Sequence, residues 1–109
     1  MINLNDGLKH IDAFELQKLL KEKDIVIIDI REQFEIDITS VPGTVNIPVR
    51  VIMNNYDDIL KKNQEYYLLC HTGQRSYYLT KYLSEQGYNV INAYGGITLM
   101  KDYYIHYWI

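Results

Sequence analysis

Three short apolar runs alternate with segments of mixed polarity along the chain. The first is DIVIIDI (residues 24–30), a β-branched run bounded by charged residues, and the second is EYYLLC (residues 65–70). The third is YNVINA (residues 88–93). Continuous apolar runs of this length are typical of strands that are buried on both faces of a parallel sheet. The pattern therefore predicts three such strands.

The segments between these runs carry helical spacing. Asp12 is placed to cap a first helix, Glu15 three residues later completes a variant of the capping box, and the helix has one apolar side formed by Phe14, Leu16, Leu19 and Leu20. A short helix is predicted for residues 31–38, REQFEIDI. A turn and a short strand, after which the chain leaves the sheet, are predicted for residues 40–49, SVPGTVNIPV. Residues 51–62 predict another helix, although the Asn54–Asn55 pair counts against it.

Two further helices are expected in the second half of the chain. Residues 74–86 have helical spacing, with Leu79 and Leu83 four positions apart and Gly87 as the C-terminal cap. ITLMKDYYIHYWI (residues 97–109) is expected to be helical, and its end either packs on the domain or binds a partner. Strands that alternate with helices predict an α/β fold with a small parallel β-sheet and helices on both faces. We expect residues 1–109 to form a single domain.

Composition narrows the class of protein. The formal net charge is -3 and the sequence pI about 5.5, which argues against nucleic-acid binding because phosphate backbones require clustered Lys and Arg. One cysteine cannot form an internal disulfide, and we find no signal peptide and no apolar run long enough to span a membrane. We therefore expect a cytoplasmic monomer that contacts neither membrane nor nucleic acid.

The single cysteine, Cys70, stands where a predicted strand ends and a predicted helix follows. Ligands of open α/β sheets bind at the carboxyl ends of strands. The short loop after Cys70 must curl, and Gly73 can adopt the positive φ that this requires. The backbone N–H groups of residues 71–76 would then converge on the sulfur, with the positive end of the helix dipole behind them. Such a cradle favours a thiolate.

Two side chains complete the predicted site. Arg75 adds a permanent positive charge and a fork of donors that suits sulfonate-type oxygens, and Ser76 either hydrogen-bonds the sulfur or caps the helix. A free cysteine is often only a small buried apolar residue. Here the strand end, the glycine loop, the arginine and the helix start together favour a nucleophile. The site is predicted to comprise Cys70, His71, Thr72, Gly73, Gln74, Arg75 and Ser76.

Three motifs resemble the rhodanese-like sulfurtransferase family. CHTGQRS (residues 70–76) is similar to the family's active-site loop, in which a cysteine, four residues and an arginine precede a helix. IIDIREQFEIDITSVPGTVNIPV (residues 27–49) is similar to its upstream signature, and NVINAYGGI (residues 89–97) to its late strand and Gly-Gly turn. The resemblance covers roughly residues 10–101. The matching upstream and late positions are Asp29, Arg31, Glu32, Glu35, Pro42, Gly43, Asn46, Ile47, Pro48, Gly95 and Gly96.

The resemblance implies a rhodanese-like fold and sulfur transfer. In this family the cysteine attacks the outer sulfur of a donor such as thiosulfate, becomes a persulfide and passes that sulfur to cyanide, a thiol or a thiol protein. Cys70 would be the catalytic nucleophile and residues 71–76 the substrate-binding loop, with a thiosulfate or persulfide donor. The chain departs from the family pattern at two places. His71 occupies a position that is often arginine in the family, which makes thiosulfate a weaker donor. Thr39-Ser40-Val41 replaces the usual Gly-His segment.

Other polar residues receive structural interpretations. Asp29 and Arg31 lie at a strand end, where they brace the neighbouring loop through a salt bridge or contact substrate, and the first role is favoured. His71 is expected at the rim of the site rather than as a base, and His10 and His106 are far from Cys70 in sequence. With one cysteine and no ligand-type spacing, no metal site and no cofactor are expected.

Three alternatives to a thiosulfate enzyme remain open. A cysteine phosphatase also uses a thiolate in an amide-lined loop that ends in arginine, but phosphatase loops have five residues between the two, against four here. A persulfide carrier that is loaded by a cysteine desulfurase would need the same cradle. A non-catalytic rhodanese-like interaction module would not need Cys70. Because no second cysteine can resolve a persulfide within the chain, the sulfur must leave to an external acceptor.

Overall fold

The structure, a computed structural model, describes residues 6–106. The strands of this part of the chain are β1 (His10–Asp12), β2 (Ile27–Asp29), β3 (Thr39–Ser40), β4 (Val45–Asn46), β5 (Glu65–Leu69), β6 (Asn89–Tyr94) and β7 (Tyr104–Ile105). Its α-helices are α1 (Ala13–Glu22), α2 (Gln33–Ile38), α3 (Val49–Ile59) and α4 (Gln74–Glu85).

Five strands form one sheet in the order β1-β6-β5-β2-β4, and every pairing in it is parallel. In this register Leu68 of β5 lies opposite Ile28 of β2 and Asn92 of β6. The predicted α/β class and parallel sheet are confirmed. The three apolar runs supply β2, β5 and β6, and the predicted short strand is β4. The edge strand β1 was not predicted, since its three residues form no apolar run.

Helices cover the two faces of the sheet. On one face α1 packs on a buried cluster that includes Leu16, Tyr67 and Leu69, and on the other α3 and α4 pack on a cluster that includes Leu68 and Leu79. Because side chains alternate along a strand, consecutive residues of β5 reach opposite clusters. The continuous apolar pattern of β5 thus reflects burial on both sides.

The N-terminal ends of two helices show how local sequence sets the helix boundaries. The Asp12 carboxylate accepts hydrogen bonds from the Phe14 and Glu15 amides at 2.7 and 3.3 Å, which confirms the predicted cap of α1. The predicted capping box does not form, because the Glu15 carboxylate lies 3.1 Å from Lys18 Nζ instead. Helix α3 begins at Val49, two residues earlier than predicted, and the carbonyl of the preceding Pro48 accepts from the Val51 and Ile52 amides at 3.0 and 3.1 Å.

Asparagine interrupts α3, as its sequence suggested. Asn55 has φ -142° and ψ 21°, outside the helical region, and its side-chain amide donates to the Val51 carbonyl at 3.1 Å. An asparagine side chain that competes for backbone groups weakens a helix locally. Helix α4 follows its prediction closely, and Gly87 has φ +92° directly after its cap residue.

The predicted C-terminal helix is wrong. Within the part of this segment that the structure describes, up to residue 106, only a 3₁₀ turn forms, at Gly96–Leu99, and the chain then extends into β7, which pairs antiparallel with β3. The Gln17 side chain binds the backbone of this segment. It accepts hydrogen bonds from the Lys101 and Asp102 amides at 2.8 and 3.0 Å, and it donates one to the Asp102 carbonyl at 2.7 Å. Backbone groups held in this way cannot form helical bonds. The tail residues Trp108 and Ile109 lie outside the described residues.

Candidate functional site

Cys70 directly follows β5 and continues its alternation. Leu68 and Cys70 belong to the same buried cluster, on the face that α4 covers. Helix α4 begins at Gln74, four residues after Cys70, so the thiol lies near its N-terminal end. Only 1% of the residue is exposed. A buried position alone would fit a structural cysteine. The polar groups around the sulfur therefore decide how the site is interpreted.

Backbone donors from the loop do face the sulfur. The Gly73 amide lies 3.1 Å from Sγ and the Ser76 amide 3.4 Å, and both donate to it. The other four predicted cradle residues make no backbone N–H hydrogen bond to Sγ or to any other described group, and their side chains are exposed: His71, Thr72, Gln74 and Arg75. The sulfur thus has two of the six expected amide donors, and four amides at the loop and helix start have no acceptor among residues 6–106.

A glycine turn from another part of the chain supports this loop. Gly73 has φ +92°, and a Cβ there would lie 2.7 Å from the Gly95 nitrogen. A Cβ on Gly96 would meet the His71 carbonyl oxygen at 2.4 Å. Immediately afterwards the Ile97 amide donates to the Cys70 carbonyl at 3.1 Å. The Gly95–Gly96 turn therefore fixes the loop by close backbone packing, a role that sequence reasoning had not assigned to it.

Arg75 is held by an acidic partner that the sequence had not paired with it. Its Nη1 and Nη2 atoms donate to the two carboxylate oxygens of Glu35 in α2, each at 2.8 Å. The hydrogen bonds from Arg75 lower the pKa of Glu35 to about 2, and the same carboxylate raises the pKa of Arg75. Fork-to-fork pairing fixes the guanidinium plane. It also offsets much of the positive charge that the sequence assigned to this residue.

Asp29 and Arg31 form a buried ion pair at the end of β2, the strand next to β5. Arg31 Nε donates to Asp29 Oδ1 at 3.0 Å and Nη2 to Oδ2 at 2.9 Å, and neither residue is more than 4% exposed. Nη2 also donates to the Thr39 carbonyl at 2.8 Å. The favoured interpretation, a structural brace, fits these contacts. The pair fastens the strand end to the segment that replaces the family's usual Gly-His.

A chain of buried polar side chains leads away from the sulfur. The Cys70 thiol lies 3.4 Å from Ser76 Oγ, and this hydroxyl donates to Asn92 Oδ1 at 2.6 Å. Asn92 Nδ2 lies 3.2 Å from His10 Nδ1. His10, 60 residues before Cys70 in sequence, is thus linked to the thiol through two side chains. The available signal was Asn92, a polar residue inside the apolar run that forms β6.

Two clefts flank the ion pair of Arg75 and Glu35. One has a volume of about 590 Å³ and is lined by Glu35 and His71 together with Arg31, Ile97 and Thr98. The other, of about 400 Å³, is apolar apart from Arg75 and is lined by Val49, Met53, Tyr78 and Tyr82. His71 is exposed on the first cleft, as expected of a rim residue. His106 lies elsewhere and contacts Ser40 Oγ at 2.6 Å.

No group of three or more His, Cys, Asp or Glu side chains among residues 6–106 is arranged to hold a metal ion. No helix among the described elements is long and apolar enough to cross a membrane.

Comparison with known proteins gives the family. A family model for the Rhodanese-like domain matches residues 12–102. A Bacillus subtilis protein, provisionally named sulfurtransferase YtwF, is 33% identical over 91 residues, which cover 83% of this chain and 87% of the relative. A second protein from the same organism, provisionally named sulfur carrier protein YrkF, is 33% identical over 85% of this chain and 48% of the relative.

A solved structure agrees with the fold. The crystal structure of a rhodanese-like domain protein from Staphylococcus aureus is 33% identical, covers 87% of this chain and 93% of the other, and superposes with a TM-score of 0.77. The resemblance that the sequence motifs indicated is therefore confirmed, in family and in architecture.

Proposed function

The chain belongs to the rhodanese-like domain family, and from this premise we propose that it transfers sulfane sulfur through a persulfide on Cys70. The observation that carries the proposal is the position of the Gly73 and Ser76 amides, which donate to Sγ at 3.1 and 3.4 Å from the start of α4. Donors fixed in this way stabilise a negative charge on sulfur without reorganising during the reaction.

The reaction proceeds in two displacements. The Cys70 thiolate attacks the outer sulfur of the donor, a new S–S bond forms, and the donor's remaining part leaves with the electron pair of the broken bond. With thiosulfate the leaving group is sulfite, and with a persulfide it is a thiolate. An acceptor thiolate or cyanide then attacks the terminal sulfur, and Sγ leaves as the thiolate. Such covalent catalysis gives ping-pong kinetics.

The backbone amides of residues 71–76 would serve both intermediates. Two of them already contact Sγ, and the four that lack a described acceptor lie on the same loop and helix start. We assign them to the terminal sulfur of the persulfide and to the donor's oxygens. Because Cys70 is only 1% exposed, a slender reactant such as a sulfane sulfur fits the site better than a phosphate monoester.

A persulfide relay is the second candidate, and the Arg75–Glu35 pair favours it. The Glu35 carboxylate binds the Arg75 guanidinium with both oxygens and offsets the positive charge of that arginine. In addition, the rim of the site carries His71 where the family often has arginine. Both features weaken the attraction for dianionic thiosulfate. The donor would then be a protein persulfide, such as that of a cysteine desulfurase, and the acceptor a thiol protein. We further propose that residues 1–109 act as one domain and as a monomer.

Intact mass spectrometry tests the proposal. After incubation with thiosulfate, or with a small persulfide donor, the chain should gain the mass of one sulfur, and fragmentation should map it to Cys70. Cys70→Ser should gain nothing and should lose transfer to cyanide while its circular dichroism stays native. Turnover by the serine variant, or sulfur on another residue, would refute the assignment. Hydrolysis of p-nitrophenyl phosphate without sulfur transfer would indicate a phosphatase.

A further inference from the structure

The hydrogen-bonded chain from Cys70 to His10 has a defined direction in this structure. Ser76 Oγ donates to Asn92 Oδ1, so its oxygen is left to accept from the Cys70 thiol. Asn92 then turns its Nδ2 donor towards His10 Nδ1, which must carry a bare lone pair. The His10 proton is therefore on Nε2, where it donates to Asp6 Oδ1 at 3.1 Å. This arrangement suits a thiol at one end and a neutral imidazole at the other.

The same heavy atoms support a second arrangement with every bond reversed. If His10 gains a proton at Nδ1, that N–H needs an acceptor, and a rotated Asn92 amide presents Oδ1 to it. Asn92 Nδ2 then donates to Ser76 Oγ, and the hydroxyl proton turns towards Sγ. The amide rotation exchanges oxygen and nitrogen at almost the same positions. This second arrangement suits a sulfur without a proton, which is a thiolate or a persulfide.

Burial makes the coupling between the two ends strong. Ser76 and Asn92 are 0% exposed, and the His10 side chain is 6% exposed. Among the described residues no buried side-chain nitrogen or oxygen lacks a hydrogen-bond partner. In such surroundings an unpaired or opposed donor is costly, so a mixed arrangement, with one end switched and the other not, is disfavoured.

The neighbours of His10 hold its other nitrogen constant. Desolvation opposes ionisation of Asp6, but the hydrogen bonds from the Leu8 amide and from His10 outweigh it and lower the pKa of Asp6 to about 2. The ionised carboxylate thus serves as the acceptor for the Nε2–H group. On the other side the Tyr77 ring stacks on His10 at 6.0 Å, and the Tyr77 hydroxyl, whose pKa Asp6 raises, stays neutral. Protonation of His10 therefore occurs at Nδ1, the atom that faces Asn92.

Other charged groups lie near the Cys70 end of this hydrogen-bonded chain. Arg75 interacts with the Cys70 charge, and Glu35 and Asp29 interact with Arg75 in turn. His71, next to Cys70, is the other histidine near the sulfur. Any experiment on pH dependence must therefore compare His10 with His71.

From this geometry we propose that His10 is a positioning residue for the persulfide chemistry, and that its protonation is coupled through Asn92 and Ser76 to removal of the proton from the Cys70 sulfur. The proposal rests on the proposed function for its biological meaning. The thiol loses a proton to solvent and the imidazole gains one, so the pair changes its charge distribution without changing its net charge. His10 then stabilises the reactive sulfur without contacting the substrate.

The pH profile of Cys70 alkylation by iodoacetamide tests the coupling. His10→Gln should move the midpoint of the rate–pH profile upwards by about one pH unit, because the imidazolium that favours the unprotonated sulfur is lost. Ser76→Ala should interrupt the chain, so that adding His10→Gln to it changes nothing further. His106→Gln, the same substitution at an exposed histidine, should leave the midpoint unchanged. An unchanged midpoint in His10→Gln, or a shift only in His71→Gln, would overturn the proposal.

The His10→Gln variant could fail to fold, so a second measurement uses nuclear magnetic resonance on protein that keeps His10. The His10 ring nitrogen signals should titrate at a higher pH in the parent than in Cys70→Ser, which cannot carry the negative charge, and adding Cys70→Ser to Ser76→Ala should not move the His10 titration. Identical His10 titrations with and without the Ser76 hydroxyl would contradict the coupling. Neither measurement requires sulfur transfer. A failed coupling with sulfur still on Cys70 in the mass experiment would therefore leave the proposed function intact.

Discussion

Arg75 and Glu35 bind each other through two parallel hydrogen bonds of 2.8 Å and so join the start of α4 to α2. Glu35 Oε2 also accepts from the Glu32 amide at 2.9 Å, which caps its own helix. One carboxylate therefore fastens a helix start and positions the arginine beside the thiol loop.

Glu35→Gln should destabilise the protein in a pH-dependent way. The pKa of Glu35 falls from 4.5 to about 2 in the folded state, so its contribution is fully present above pH 4.5 and is lost as the pH falls through 2. Urea unfolding at pH 7 should show a loss of up to about 1 kcal/mol, and the difference from the parent should shrink towards pH 2. Glu15→Gln, in an exposed pair with Lys18, is the control. A difference that persists at pH 2 would exclude the ion pair as its cause.

Arg75→Ala should impair donor use more than it impairs the thiol. Loss of a charged donor group should reduce kcat/KM for thiosulfate by about 10- to 100-fold, whereas alkylation of Cys70 by neutral iodoacetamide should change much less. Arg50→Ala removes an exposed arginine that pairs with Glu32 at 3.3 Å, and it should retain both rates. Equal losses in the two assays would mean that Arg75 acts on the sulfur and not on the donor.

Gly73→Ala should be more damaging than Gly87→Ala, although both glycines have φ +92°. Each substitution incurs a left-handed strain of about 1–2 kcal/mol. At Gly87 the nearest atom is the flexible Lys62 Nζ at 3.4 Å, whereas at Gly73 it is the Gly95 backbone nitrogen at 2.7 Å. Thermal unfolding and persulfide loading should be measured on both variants. Only Gly73→Ala should lose loading, and equal stability losses would show that the Gly95 contact is unimportant.

Asp29→Asn should be strongly destabilising. It leaves the Arg31 guanidinium buried without its carboxylate, and breaking a buried pair from one side costs about 3–5 kcal/mol. The urea midpoint should fall accordingly, whereas Asp37→Asn, at an exposed carboxylate that binds the Gln33 side chain at 2.9 Å, should change little. If Asp29→Asn were as stable as the parent but inactive, the pair would contact substrate and would not be a brace.

Local pattern was sufficient for most of the elements. Apolar runs of six or seven residues located β2, β5 and β6, and the spacing of Leu79 and Leu83 located α4. These features depend on burial and on neighbours within one helical turn, so they can be recognised in a sequence. The same holds for the loop after Cys70, where the strand end, Gly73 and the helix start are consecutive.

The C-terminal segment shows where local pattern fails. Its aromatic and apolar residues are compatible with a helix, yet Gln17 and β3, more than 60 residues earlier, provide the backbone partners that extend it. Such pairing depends on which edges the fold brings together. A periodicity within thirteen residues contains no information about it.

The sequence by itself determined the α/β class, the place of the thiol at a strand end, and the motifs of the rhodanese-like family, because each of these is encoded in consecutive residues. Only the tertiary structure decided that Glu35 holds Arg75, that the Gly95–Gly96 turn packs against Gly73, and that His10 is linked to Cys70. Those contacts join residues far apart in the chain. The link to His10, for example, depends on the order of the parallel strands, which places β6 beside β5, the strand that leads to the thiol, and β1 beside β6.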